Sequence, residues 1–134
     1  MGAEALLARL HEIRTGGEES VRPAAEAMAS VGERAIKKKL GLMSHPRGTK
    51  TPSQPGMPPA LVTVQLRRSV HQTKSFRSGD HEWTTHAAPT IVYARIQELG
   101  GITGRGHHTH LPPRPYVAPA AAESADKARK AAIR

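Results

Sequence analysis

The sequence predicts an α+β fold: a small antiparallel β-hairpin or sheet packed with helices, and a long proline-rich arm in mid-chain. Three observations carry this. Apolar residues recur every three to four positions in several stretches, the period of an amphipathic helix. Strand-forming segments flank Gly79 and Asp80, and a two-residue Gly-X loop favours a type II′ hairpin. Pro46, Pro52, Pro55, Pro58 and Pro59 all fall within residues 44–60, where each removes a backbone donor and fixes its own φ.

In "EALLARLHEI" Leu6, Leu10 and Ile13 form one helical stripe, and "RTGG" is expected to end that helix. A second helix is expected from Val21 to Leu40. Pro23 lies near its start, Met28, Val31, Ala35 and Ile36 supply an apolar stripe, and Gly41 suits the position after the last turn. Lys37, Lys38 and Lys39 crowd that turn, where cations complement the helix dipole; they read as a solvated face rather than a phosphate site. Residues 44–60 form a stiff arm with too few large apolar groups to dock on their own chain. The arm is expected to be mobile in the free protein and ordered on a neighbour. Thr63 then caps a short helix over residues 63–70, with Leu66 and Val70 four apart.

Counting outward from Gly79-Asp80 pairs Ser78 with His81, Arg77 with Glu82, and Phe76 with Trp83, so that the only Phe and the only Trp face each other. After Pro89, Thr90 caps a helix in "IVYARIQEL" whose Val92, Ile96 and Leu99 share a face, and Gly100-Gly101 ends it. A glycine- and histidine-rich loop and "LPPRPYVAP" lead into an alanine-rich helix over residues 117–134. That helix is poor in large apolar groups and reads as a surface or contact helix. Glu123 with Lys127 and Asp126 with Lys130 are i,i+4 pairs in the favourable order. The 134 residues read as a single domain.

Alanine accounts for 20 residues, while Leu, Ile, Val and Phe together number 23 of 134. That share lies under the roughly 20% below which a highly charged chain struggles to order itself. The core is therefore expected to be thin, the free monomer of modest stability, and part of the burial supplied by neighbouring chains. A formal charge of +9 admits nucleic acid, anionic membrane or acidic protein as partner. With four aromatic residues the chain has few platforms for stacking single-stranded bases. It has no cysteine, hence no disulfide or thiolate chemistry. No apolar run reaches the length of a membrane span or signal segment, and "MGAEAL" lacks the Ser or Thr of a myristoylation signal. A soluble protein of a reducing compartment, without a membrane partner, is expected.

Three stretches mimic active sites. "HEWTTH" has its second histidine one place too far for the zinc-protease HExxH, and the odd spacing of His81 and His86 would send them to opposite faces of a strand. "GRGHHTH" clusters His107, His108 and His110, but no cysteine or nearby carboxylate completes a zinc ligand set. "GGITGRG" follows a helix and lacks the Gly-Lys-Ser/Thr ending of a phosphate loop. The residues therefore imply no catalytic, cofactor or metal site, and a protein that is not an enzyme.

Three pieces read in order, "PGMPPALVTVQLRRSV", "YARIQELGG" and "LPPRPYVAPA", resemble the tail-completion, or head–tail joining, proteins of long-tailed bacteriophages. These small neck proteins are also filed as virion-morphogenesis or minor tail components. The family joins a "PGxPP" arm to a Thr-Gly-x-Leu-Arg-x-Ser helix. A Tyr-Ala helix ending in Glu-x-Gly follows, and an Arg-Pro-aromatic segment leads into the last helix. Here these are Pro55 to Pro59, Thr63 to Ser69, Tyr93 to Gly100, and Arg114 to Tyr116, with Val64 standing where the family usually has glycine. The likeness spans roughly residues 50–122, and the N-terminal part agrees only in general style.

The resemblance implies a structural virion protein, assembled in the host cytoplasm, that forms a cyclic ring, expected as a hexamer. The ring would join the head connector or stopper to the tail terminator or tail tube, with viral DNA passing through its lumen without specific binding. The resemblance also implies that the arm lies along a neighbouring subunit, which nominates Pro55, Pro58, Pro59, Arg67, Arg68, Arg114 and Tyr116 as interface residues. The alternative is a basic nucleic-acid-binding module. Charge alone supports it, since no helix-turn-helix, zinc-finger or RNA-binding signature is present.

Overall fold

The computed structural model describes residues 2–42, 44–46, 49, 51, 53–59 and 64–133. Its spine is a single helix, α1 (Ala3–Leu40), where the periodicity predicts two. "RTGG" does not break it. A glycine inside a helix costs only about 1 kcal/mol relative to alanine, and Gly16 and Gly17 lie between two strongly periodic runs. Pro23, expected in a first turn, is interior instead. It removes one rung of the hydrogen-bond ladder, and the hairpin contacts described below fall on both sides of it. Gly41 follows the last turn at φ −91°, an ordinary right-handed conformation, and its N–H donates to the Lys38 carbonyl at 3.1 Å. Among the described residues nothing covers the start of α1: residues 2–17 are exposed, Leu6, Leu10 and Ile13 included.

From Glu18 onward one face of α1 carries a long bent hairpin. Strands β1 (Val70–Gln72), β2 (Phe76–Gly79), β3 (Glu82–Thr84) and β4 (Ala87–Pro89) form two antiparallel ladders, β1 with β4 and β2 with β3. Between the ladders the Thr73 N–H donates to the His86 carbonyl at 2.8 Å, and the His86 N–H donates to Thr73 Oγ1 at 3.1 Å. The hairpin runs back along α1 toward its N-terminus. The Gln72 N–H donates to Glu33 at 3.1 Å, and Ser30 donates to the Gln72 side chain at 3.0 Å. Next, Ser75 donates to Glu26, and the Arg22 guanidinium lies over the Trp83 ring at 5.6 Å. At the tip Arg77 and His81 reach Glu18 at 3.5 and 3.0 Å.

The two elements keep pace. From Gln72 to Gly79 a strand covers about 23 Å, and from Glu18 to Glu33 a helix covers about 22 Å. The Ser75 hydroxyl, then the Arg22 guanidinium, hold Glu26 below the usual carboxylate range. The Lys37 ammonium does the same for Glu33.

The turn falls one residue later than expected. Asp80 and His81 form it, with His81 at φ 60°. A bulge at Ser78 sets Phe76 opposite Thr84, Arg77 opposite Trp83, and Gly79 opposite Glu82. None of the expected pairs, Phe76–Trp83, Arg77–Glu82 or Ser78–His81, is formed. Phe76 remains 48% exposed with the His86 ring 5.9 Å away, and Trp83 turns to Arg22 of α1 instead. A ring laid on a helix is covered over more of its face than a two-stranded ribbon can cover it. That difference outweighs the cross-strand pair.

The remaining elements gather at the other end of α1. They are the single-turn α2 (Gln65–Arg68), α3 (Ala94–Leu99), β5 (Gly101–Thr103), β6 (Thr109–Leu111) and α4 (Val117–Ile133). Strands β5 and β6 pair around a 3-10 turn at Arg105–His107, so the expected loop is a second hairpin. Ile36, Leu40, Leu66, Val70, Ala94, Tyr116 and Ala120 form the core.

The expected Thr63 cap lies outside the described residues, and Val70 opens β1 rather than closing the helix. Thr90 does not cap α3; its hydroxyl donates to the Ser69 carbonyl at 3.0 Å. The α3 stripe is misplaced as well. Val92 and Leu99 are exposed while the small Ala94 is buried, and in α1 Met28 is exposed beside buried Ala29. On α4, Glu123 reaches across to Lys39, and Asp126 pairs with Arg129.

Two stability outcomes follow from this packing. Trp83→Ala should cost about 1–3 kcal/mol, through lost burial and the cation–π contact, and Phe76→Ala less than about 1 kcal/mol for a half-exposed ring. Urea unfolding measures both, and equal costs would speak for the direct Phe76–Trp83 pair. Gly16→Ala and Gly17→Ala meet no atom within 4 Å. Each should strengthen the exposed turns by about 0.5–1 kcal/mol, seen as slower amide exchange over residues 6–17.

Candidate assembly interface

Helix α4 begins without a capping residue of its own, since Pro115 and Tyr116 precede it. The first N–H groups of a helix need an acceptor, and Glu98 of α3 supplies it. Its carboxylate accepts from the N–H groups of Tyr116, Val117 and Ala118 at 2.7, 2.9 and 2.9 Å. A negative charge there also complements the helix dipole. Gly100, at φ +69°, makes the approach possible: a Cβ there would stand 2.7 Å from the Leu111 carbonyl and 2.8 Å from the Pro113 nitrogen.

The arm is tied to the same place. The Gly56 N–H donates to the Pro113 carbonyl at 3.0 Å, and buried Arg114 donates through Nε to the Ser53 carbonyl at 3.0 Å. The Arg114 N–H donates to the Gln97 carbonyl at 2.8 Å. Tyr116 is fully buried, and its hydroxyl donates to the Ala94 carbonyl at 3.1 Å. Burial, then Glu98 and Tyr93, push that phenol up to about 12.

This junction divides the seven nominated residues. Pro58, Pro59, Arg114 and Tyr116 are buried within the chain, and of these Arg114 is the side chain that holds the arm, at Ser53. The described part of the arm docks on its own chain, contrary to expectation, because backbone groups of Ser53 and Gly56 do the work that large apolar side chains could not. Pro55, Arg67 and Arg68 are exposed. Pro55 and Gly56 are the central residues of a tight turn, with Gly56 at φ +81° and the Met57 N–H donating to the Gln54 carbonyl at 3.1 Å. Arg67 donates to the Lys37 carbonyl at 3.2 Å, tying α2 to the end of α1.

The histidines do not assemble. His81 sits in a turn, not on a strand, and His107, His108 and His110 are exposed on the second hairpin. Among the described residues no three His, Cys, Asp or Glu side chains are placed to hold a metal ion, and no helix is long and apolar enough to cross a membrane. No family model, curated protein or solved structure matches the chain. The Glu98 cap escaped the sequence reading, although one signal was present: a helix start lacking Ser, Thr, Asp or Asn must find its acceptor elsewhere.

Glu98→Ala should cost about 1–3 kcal/mol by leaving partly buried N–H groups unpaired, measured by urea unfolding. Tyr116 gives a pH signature. An unfolded tyrosine ionises near pH 10, whereas the folded phenol keeps its proton up to about 12. The stability it contributes is complete below pH ~10 and is lost as pH rises through that window. Denaturation midpoints should fall there, and Tyr116→Phe should remove that part of the fall.

Proposed function

We propose that this chain is a structural subunit of the neck of a long-tailed bacteriophage. It forms a closed ring, a hexamer, that joins the head connector or stopper to the tail terminator or tube. DNA passes through the ring without being read, and the protein carries out no reaction. The observation that carries this reading is the meeting of the three resembling pieces at one junction: the arm at Gly56, with Ser53 just before its motif, α3 at Gln97 and Glu98, and the closing segment at Pro113 to Tyr116. Motif residues far apart in sequence thus share one structural task. They fix the root of the arm and leave the Pro55–Gly56 turn, with Arg67 and Arg68, facing outward.

A turn set rigidly at one end loses little entropy when a neighbour covers it. Apolar surface left bare on α1, at Leu6, Leu10 and Ile13, also suits a subunit completed by its neighbours. A repeated head-to-tail contact that closes by rotation leaves no open end.

Arg68→Glu should leave the circular dichroism of the purified chain unchanged. It should lower the yield of joined particles by about tenfold or more, the effect of about 1.4 kcal/mol at an interface. Electron microscopy of wild-type particles should show the protein as a cyclic ring at the neck. Normal joining by the Arg68→Glu variant, or a neck without the protein, would overturn the reading. Duplex DNA binding that falls steeply with salt would favour the nucleic-acid module instead.

A further inference from the structure

A groove of about 430 Å³ runs between the C-terminal half of α1 and α4. Val31 and Ala35 give it an apolar floor, with Leu42 exposed beside them. Ser124 and the Lys39–Glu123 ion pair also line it, and exposed Arg34, Lys38 and Lys127 stand along its rim. Elsewhere on α1, Arg14, Arg22 and Lys37 each meet a carboxylate, and within the groove Lys39 neutralises Glu123. Among the described residues Arg34, Lys38 and Lys127 pair with none. Arg34 and Lys38 are moreover four apart on one helix, a spacing at which like charges destabilise it.

The geometry points to a docking groove for an amphipathic helix of a partner protein, aliphatic along its inner stripe and acidic along its flanks. The floor calls for aliphatic side chains and the rim for carboxylates. The walls are helices whose backbone groups are already paired, so no strand can be added to them. A third helix laid between two others packs by ordinary ridges and grooves. A nucleic acid would set its phosphates on an apolar floor, and no aromatic side chain lines the groove to stack its bases. A second copy of this chain is also a poor occupant. Its exposed stripe, Leu6, Leu10 and Ile13, is bordered by Arg9 and Arg14 at helical spacing, which would meet the cations of the rim. The proposal goes beyond the neck reading, because the groove would take such a helix in any assembly.

The test uses the full chain and fluorescein-labelled synthetic peptides of about 15 residues, near the length at which a helix forms in water. The probe carries leucines at helical spacing between glutamates. Its comparators are the same composition in scrambled order, the same leucines between lysines, and a single-stranded DNA of equal charge. Anisotropy at about 0.15 M salt, where distant charges are screened, should show the probe binding about tenfold tighter than each comparator. Lys38→Glu with Lys127→Glu should weaken it about tenfold. Lys74→Glu with Arg95→Glu, the same charge change away from the groove, should not. Equal binding of the scrambled peptide, an equal loss in the Lys74/Arg95 variant, tighter binding of DNA, or no binding up to about 1 mM would each overturn the proposal. None of these measurements involves a particle, so failure here leaves the neck reading standing, and failure of particle joining leaves the groove.

Discussion

A chain with only 23 Leu, Ile, Val and Phe residues cannot stack layers around a broad core, and the rest of its structure depends on how it avoids needing one. It lays its long hairpin, α2 and α4 against a single long helix. The long hairpin touches α1 through Glu18, Arg22, Glu26, Ser30 and Glu33, residues three to four apart that share one face. Each such contact near water is worth little alone. Their sum is useful because both elements are internally rigid, so the first contact to form aligns the others. A break in α1 between Glu18 and Glu33 would lose that register, which is why its continuity through Pro23 matters more than any one contact.

At the opposite end the economy is different. The true core is small, with Tyr116, Leu40 and Val70 its largest fully buried side chains. Around it, backbone groups are satisfied by side chains brought from elsewhere in the chain. Glu98 closes the start of α4, the Tyr116 hydroxyl takes the Ala94 carbonyl, and Arg114 takes the Ser53 carbonyl. Burying Arg114 without a carboxylate partner among the described residues costs desolvation. What it secures is a fixed root for the proline arm, and this connects the fold to the assembly reading.

Much of this was legible before the structure. The helical periods over residues 4–13 and 21–40, the strands around Gly79, the stop at Gly100 and the final helix each follow from spacing, turn chemistry and composition. The errors have physical causes. "RTGG" reads as a stop only if each glycine is weighed alone, whereas helical runs on both sides outweigh about 1 kcal/mol apiece. Phe76 and Trp83 pair if the hairpin is considered in isolation, but Trp83 gains more from α1. Val92 and Leu99 look like a core stripe until the large Tyr116 claims the space over Ala94, where only a small residue fits.

The sequence by itself determined the α+β class, the place of one hairpin between a short helix and α3, the final helix and the scarcity of core, because periodicity, turn chemistry and composition act over a few neighbouring residues. It also carried the resemblance on which the functional proposal rests. Only the tertiary structure decided which side chains are used up inside. Pro58, Pro59, Arg114 and Tyr116 look as available in sequence as Pro55, Arg67 and Arg68, yet the first four are buried and the last three are not. It also brought Arg34 and Lys38 together with Lys127 around one groove. Burial and long-range charge depend on which segments meet, and that is fixed by the packing of distant parts of the chain, which local patterns do not encode.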